Sequence, residues 1–195
     1  MRSLVRRIDF ALFAVASLAC AIAWPVAAAE LRLLPSQSEI AFTSRQMGVP
    51  VQGRFRAFDS QVEFDPARPE AARVALRIDL ASVAMGTAET ESELAKPGWF
   101  DIRRFPAATF VSASVRPTGP GRFDVTGKLT LKSTSRDLVV PVTLQHAGTM
   151  STASGSFVLR RSDWRIGDGD WSDTSLVADE VQVRFKLTLS GPSVP

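Results

Sequence analysis

The sequence predicts an all-β protein: an eight-stranded antiparallel barrel with a short helical insertion near residues 87–105. Three observations carry that expectation. Apolar and polar residues alternate in nearly every segment after residue 37, the mark of strands with one buried and one solvated face. Turns rich in glycine and proline separate these segments at the spacing of antiparallel all-β folds. Closure into a barrel would also remove the edges that an open sheet of such strands exposes to aggregation. A β-sandwich is the alternative architecture.

The chain opens with a targeting signature. Arg2, Arg6 and Arg7 precede an apolar run over 10–24, Pro25 follows it, and Ala27-Ala28-Ala29 fits the small-residue cleavage rule. Residues 1–29 therefore read as a cleaved secretory signal peptide, with an uncleaved anchor as the lesser reading, and residues 30–192 as one domain. The expected location is the periplasm. Losing three arginines and Asp9 lowers the net charge from +3 to +1, which leaves little case for a nucleic-acid partner. The one cysteine, Cys20, lies in the signal, within a poor lipidation motif. The mature chain is then without thiol chemistry or disulfides.

Each strand has its own pattern. In 38–45, Ile40 and Phe42 share a face; 46–53 reads as an interruption holding two glycines and Pro50. Over 51–58, Val51, Gly53 and Phe55 oppose Gln52, Arg54 and Arg56, and a strand glycine suggests a bend or close approach. Val62–Phe64 continues the pairing. The alternation is cleanest over 72–80, with Val74, Leu76, Ile78 and Leu80 on one face. The run 109–115 precedes a turn over 117–121. Phe123, Val125, Gly127, Leu129 and Leu131 then line one face of the next strand. After a turn over 132–137, Leu138, Val140, Val142 and Leu144 alternate, with Pro141 expected at a bulge, corner or edge. Gly155, Phe157 and Leu159 face one way in 151–161, and Val181, Val183, Phe185, Leu187 and Leu189 in the last strand.

Between strands, 87–95 reads as a short helix with Thr87 or Thr90 as its N-cap. It leads to Leu94–Phe110, which holds Trp99, Phe100, Phe105 and Phe110, with Pro97 and Pro106 marking breaks. Those aromatics suit either a connector that caps the core or a lid over a pocket mouth.

Several chemistries lack parts. His146 is the one histidine, placed in a turn and expected to be solvated, so Ser-His machinery and first-row metal sites are not expected. The aspartates at 168, 170 and 173 superficially suggest calcium, but the twelfth position of such a loop is Asp179, not glutamate. They read as a solvated turn. Asp59, Asp65 and Asp101 are carboxylates that nothing in the sequence brings together. No catalytic residue, metal or cofactor is assigned, and the chain is not read as an enzyme. What remains is apolar lining: bulky inward phenylalanines beside small inward Gly53, Gly127 and Gly155, whose small size would leave space in the lumen.

Four blocks taken together, 38–55, 97–112, 127–142 and 160–171, resemble the YceI-like family of secreted, lipocalin-like proteins that bind polyisoprenoid lipids. The resemblance covers about residues 31–190. It implies a lipocalin-like barrel with a long apolar tunnel, holding an isoprenoid-type lipid such as a quinone or polyprenyl chain. Alternation and resemblance together give the lining as Phe42, Phe55, Leu76, Ile78, Trp99, Phe100, Phe105, Phe110, Leu129, Val140, Phe157 and Phe185. Gln46, where many relatives carry histidine, is the candidate head-group contact; its amide forms hydrogen bonds but takes up no proton near neutral pH. The resemblance leaves open a homodimer and transient contact with a membrane or membrane cytochrome. Two rival readings stand beside the carrier: a filled barrel acting as a partner-binding or stress-protective module, and a lipid-modifying enzyme.

Overall fold

The computed structural model describes residues 29–191 apart from Pro66. The signal segment expected over 1–29 lies outside these residues except for its last position. The strands are β1 (Ala29–Leu33), β2 (Glu39–Gln46), β3 (Val49–Phe55), β4 (Phe58–Phe64), β5 (Arg73–Asp79), β6 (Val83–Ala84), β7 (Ala107–Gly119), β8 (Arg122–Leu131), β9 (Thr134–Ala147), β10 (Met150–Arg160) and β11 (Glu180–Ser190). The α-helix among the described residues, α1 (Ala88–Leu94), lies between β6 and β7.

These segments form an eight-stranded antiparallel barrel of lipocalin-like fold. The ring runs β1–β4–β5–β7–β8–β9–β10–β11 and closes where β11 pairs with β1, Leu33 opposite Leu189. The segments β2, β3 and β6 prolong β1, β4 and β5 past short breaks. Thus β11 pairs first with β2, at Phe185 opposite Ile40, and then with β1. A barrel of this strand number is just wide enough for side chains or one small ligand.

The turns are tighter than the sequence suggests. Strands run up to two-residue turns at Met47-Gly48, Pro120-Gly121 and Lys132-Ser133. Met47 and Gly48 both have positive φ, 49° and 81°, the mirror-image turn whose twist matches a hairpin. So 46–53 is a hairpin rather than an interruption. Pro50 sits within β3, opposite Arg45, and β3 has a far-side partner only at Arg54 and Phe55, so the proline occupies an edge. Pro141 lies beyond Thr143–Ser154, where the β9–β10 ladder stops, so it marks a corner.

The inward glycines do not leave open space. The Phe42 ring lies over Gly53, Phe110 over Gly127 and Phe185 over Gly155, each glycine on a neighbouring strand. A Cβ at Gly127 would stand 2.5 Å from the Val111 carbonyl oxygen as well as against the Phe110 ring. The glycines are therefore seats for aromatic rings. At the end away from α1, Phe64 meets Phe123 edge-on at 5.9 Å and stacks on His146 at 6.0 Å. His146 is exposed but belongs to β9 rather than a turn, and its Nδ1 is 2.8 Å from the Ser151 hydroxyl.

Gly155→Ala tests the seating. The new Cβ would strike the Pro141 carbonyl oxygen and come 2.7 Å from Phe185 Cζ. Urea unfolding should show a loss of about 1–3 kcal/mol, typical of overpacking, with an unchanged slope. An unaltered midpoint would mean that the wall yields there.

Candidate functional site

One end of the barrel is capped by two irregular segments that hold each other. The first begins with α1, whose N-cap Thr87 accepts a hydrogen bond from the Thr90 amide at 3.3 Å. The Glu91 carboxylate accepts the Met85 amide at 3.1 Å, tying the helix to the end of β6. Leu94 faces inward and is buried. The chain then turns on Pro97 and Gly98, and the Phe100 amide donates to the Leu94 carbonyl at 3.0 Å. Asp101 takes a left-handed conformation (φ 51°), which turns the chain after Trp99 and Phe100.

The second segment runs from Arg161 to Val177 and has no strand periodicity. Arg161 organises it. This side chain is 3% exposed, and its donors end on backbone carbonyls: Nε on Ala178, one terminal nitrogen on Ile166 and Gly167, the other on Trp171 and Val177, all at 2.8–3.2 Å. A guanidinium has five N–H donors, and all five are used. Buried loop backbone needs such partners, because an unpaired buried carbonyl is costly. Burial would raise the carboxyl pKa of nearby Asp179. Hydrogen bonds from Ser162 and the charges of Arg161 and Arg160 outweigh this and hold it below its usual value.

The two segments join at Gly98, whose carbonyl accepts the amides of Gly167 and Asp168 at 2.8 and 3.0 Å. Lys132 bridges them from the β8–β9 turn, donating to the carbonyls of Pro97 and Arg165. Trp99 and Trp171 pack at 5.6 Å, and the Trp171 N–H donates to Glu93 at 3.3 Å. Hydrogen bonding to Lys96 is the main reason that the Glu93 carboxyl lies below its ordinary pKa. The β2–β3 hairpin completes the rim, with the Met47 amide on the Leu176 carbonyl and the Ala178 amide on Arg45, both at 2.8 Å.

Beneath this cap lies an outer chamber of about 420 Å³, within the ~300–1,000 Å³ of small-molecule sites. An inner chamber of about 160 Å³ follows toward the far end. Ile40, Ile78, Leu129, Phe157 and Val183 line both and form the waist between them. Of the residues proposed from sequence, Phe42, Phe55, Trp99 and Phe100 line the outer chamber, and Leu76, Phe110, Val140 and Phe185 the inner one. Ile78, Leu129 and Phe157 belong to the waist. Gln46 is exposed at the outer rim, beside Arg45 and Glu89.

Phe105 lines neither chamber, contrary to expectation. The turn after Asp101 carries it past the cap, where the Arg104 guanidinium sits over its ring at 5.2 Å. Sequence reasoning also passed over Arg161, Met85, Ile166 and Val177, which line the outer chamber from segments without period-two alternation. Val183 and Ile40, by contrast, share faces that the alternation already marked as inward.

The carboxylates serve local turns. Asp65 accepts from the Ala67 amide and Arg68, Asp173 from the Ser175 amide, and Asp59 from the Ser60 amide. Asp101 is buried against Arg104. Among the described residues, no three His, Cys, Asp or Glu side chains come together as a metal site.

Comparison with known proteins follows the same geometry. The YceI-like domain matches residues 31–189. The chain belongs to the YceI-like family. A UPF0312 protein of Pseudomonas syringae pv. tomato is 30% identical over 131 residues, covering 64% of this chain and 68% of that protein. The crystal structure of Burkholderia cenocepacia BcnA superposes with a TM-score of 0.78 at 40% identity, covering 80% of this chain and 98% of BcnA. A polyisoprenoid binding domain from Saccharophagus degradans shares the fold, with a TM-score of 0.66 at 19% identity over 85% of this chain and 99% of that one.

One substitution tests the cap. Arg161→Met strands five carbonyls, and the three in buried contacts, on Ile166, Gly167 and Val177, each cost ~1–3 kcal/mol if they find no water. Amide exchange of 166–178 should therefore accelerate well beyond that of β7–β9; uniform protection would show that Arg161 is not the staple.

A separate prediction concerns acid and the turns held by carboxylates. The folded pKa of Asp65 is lowered first by the Ala67 amide and then by Arg68, and that of Asp173 by Ser175. Such groups contribute stability above their unfolded pKa, near ~3.9, and lose it as pH falls through the lower folded value. The urea midpoint should drop between pH 6 and pH 3, and drop less in Asp65→Asn.

Proposed function

We propose that this protein is a carrier that holds an isoprenoid-type lipid, of quinone or polyprenyl kind, inside its barrel. The carrying observation is the pair of apolar chambers joined at a waist of five hydrophobic residues. At ~0.8 kcal/mol per buried CH₂, each five-carbon unit drawn into such space contributes about 4 kcal/mol before ordering costs. No charge pair is needed for affinity. The polyisoprenoid-binding description of the Saccharophagus degradans domain, which shares this fold, supports the ligand class. The basic start and apolar run of residues 1–29 support export to the periplasm.

The chambers are built for holding rather than turnover. Of the carboxylates that line them, Glu93 is tied to Lys96 and Trp171, which favours its ionised form over a proton-shuttling one. Family membership is in keeping with a binding role.

Native mass spectrometry of the protein purified from its own periplasm, followed by organic extraction, tests the reading. A bound apolar species with a prenyl fragmentation series is expected. A ligand-free mass that persists after incubation with prenylated quinones would instead favour a barrel acting through its surface.

A further inference from the structure

One outer wall of the barrel gathers cations that the ion pairs among the described residues do not use. It is the outer face of β3, β2, β11 and β10. Phe42, Phe55, Phe157 and Phe185 point inward on these strands, so Arg54 on β3, Arg184 and Lys186 on β11, and Arg160 on β10 point outward, all exposed. The register sets Ala41 between Arg54 and Arg184, and Thr43 between Gln52 and Gln182, so uncharged side chains separate the cations. Arg45, on the same face of β2, is exposed at the rim and reaches the Gly48 carbonyl. The carboxylates of this wall are Glu39, opposite Lys186, and Glu180, opposite Arg160. Five cations against two carboxylates leave a surplus of three, whereas residues 30–195 together carry only +1. The remainder of the chain is therefore net acidic, and the positive charge is concentrated here.

The hairpin that carries Arg45 and Arg54 ends in an apolar tip. Met47 in its turn is 70% exposed and Val49 63%, and Leu176, whose carbonyl accepts the Met47 amide at 2.8 Å, is 42% exposed. Met47 also has a left-handed backbone, φ 49°, at a position where two-residue hairpin turns ordinarily carry asparagine or aspartate. A bulky side chain is strained there, and one so exposed gains little burial in return, so folding does not account for it. The carboxylates beside the tip are Asp173, which accepts the Ser175 amide, and Glu89 on the rim. The tip itself carries none.

We infer that the outer face of β3, β2 and β11 docks on an anionic bilayer. Met47, Val49 and Leu176 enter the headgroup layer, and Arg54, Arg184 and Lys186 lie over acidic lipids. Cations spread across the outside of a barrel suit a fluid plane, where lipids gather under each one, better than a protein of fixed shape. An apolar tip beside basic residues is the composition of an interfacial anchor. Each cation at such a surface is worth about a fivefold change in partitioning. The docking does not depend on what the chambers hold. It brings their mouth, whose rim this hairpin completes, to the membrane surface.

The test is co-sedimentation of the protein, purified from its own periplasm, with vesicles at low salt. It should partition onto vesicles of phosphatidylglycerol and phosphatidylethanolamine but not onto phosphatidylcholine vesicles. Salt at ~1 M should release it, since the Debye length falls to ~3 Å. Arg54→Ser combined with Arg184→Ser should weaken partitioning about twentyfold. Arg122→Ser, at the other end of the barrel, should leave it unchanged. Met47→Asn suits the turn, so its urea midpoint should equal or exceed the native one while partitioning falls several-fold, a pairing that a loosened fold does not produce. Residues 30–195 contain no cysteine, so Met47→Cys offers one site for a polarity-sensitive dye, whose emission should shift to the blue on the anionic vesicles. Sedimentation with neither vesicle, or equally with both, would overturn the docking surface. So would native partitioning by the double arginine variant or by Met47→Asn, or an unshifted dye, and none of these outcomes touches the carrier reading.

Discussion

The seating of phenylalanine rings on inward glycines decides how much of the barrel stays open. Eight strands enclose a lumen that bulky side chains can fill completely. Here Phe42, Phe110 and Phe185 lie against the wall, each over a glycine of the adjacent strand. The same pairs repair a local weakness. Glycine brings no side chain to a strand and costs it entropy, and the neighbouring ring covers the bare backbone. One arrangement therefore supports the sheet and spares the axis.

The cap solves a different problem. Loop backbone under which an apolar chamber lies cannot leave its carbonyls unpaired. For the carbonyls of Ile166, Gly167, Trp171, Val177 and Ala178 no strand or helix supplies the donor, so one side chain does. Arg161 gathers five carbonyls about a single planar group, and Gly98 and Lys132 tie the result to the aromatic segment opposite. The burial of a guanidinium, expensive in isolation, is offset by complete hydrogen bonding. Trp99 and Phe100 consequently serve both roles that their sequence suggested: they close the core and they roof a pocket.

Where the structure follows simple periodicity, the sequence was legible. Alternation marked the inward faces of the strands, and the positions drawn from those faces, from Phe42 to Phe185, line one chamber or the other. The four blocks pointed to the family on their own. The irregular parts were opaque because contact there depends on turns rather than on spacing. Phe105 has the composition of a lining residue, yet the left-handed Asp101 sends it outside. Arg161 follows a strand, where an arginine is ordinarily solvated, and only the folded loop reveals its carbonyls. The glycines misled for a related reason: volume missing at one residue says nothing about which neighbour fills it.

The waist has a kinetic consequence. A flexible chain occupying both chambers leaves lengthwise, since Ile40, Ile78, Leu129, Phe157 and Val183 encircle it midway. Each unit must be withdrawn in sequence, so dwell time rises with the number of units beyond the constriction. On the carrier reading, a shorter molecule that stops before the waist would have less to retrace, and the barrel would hold chains for a time set by their length.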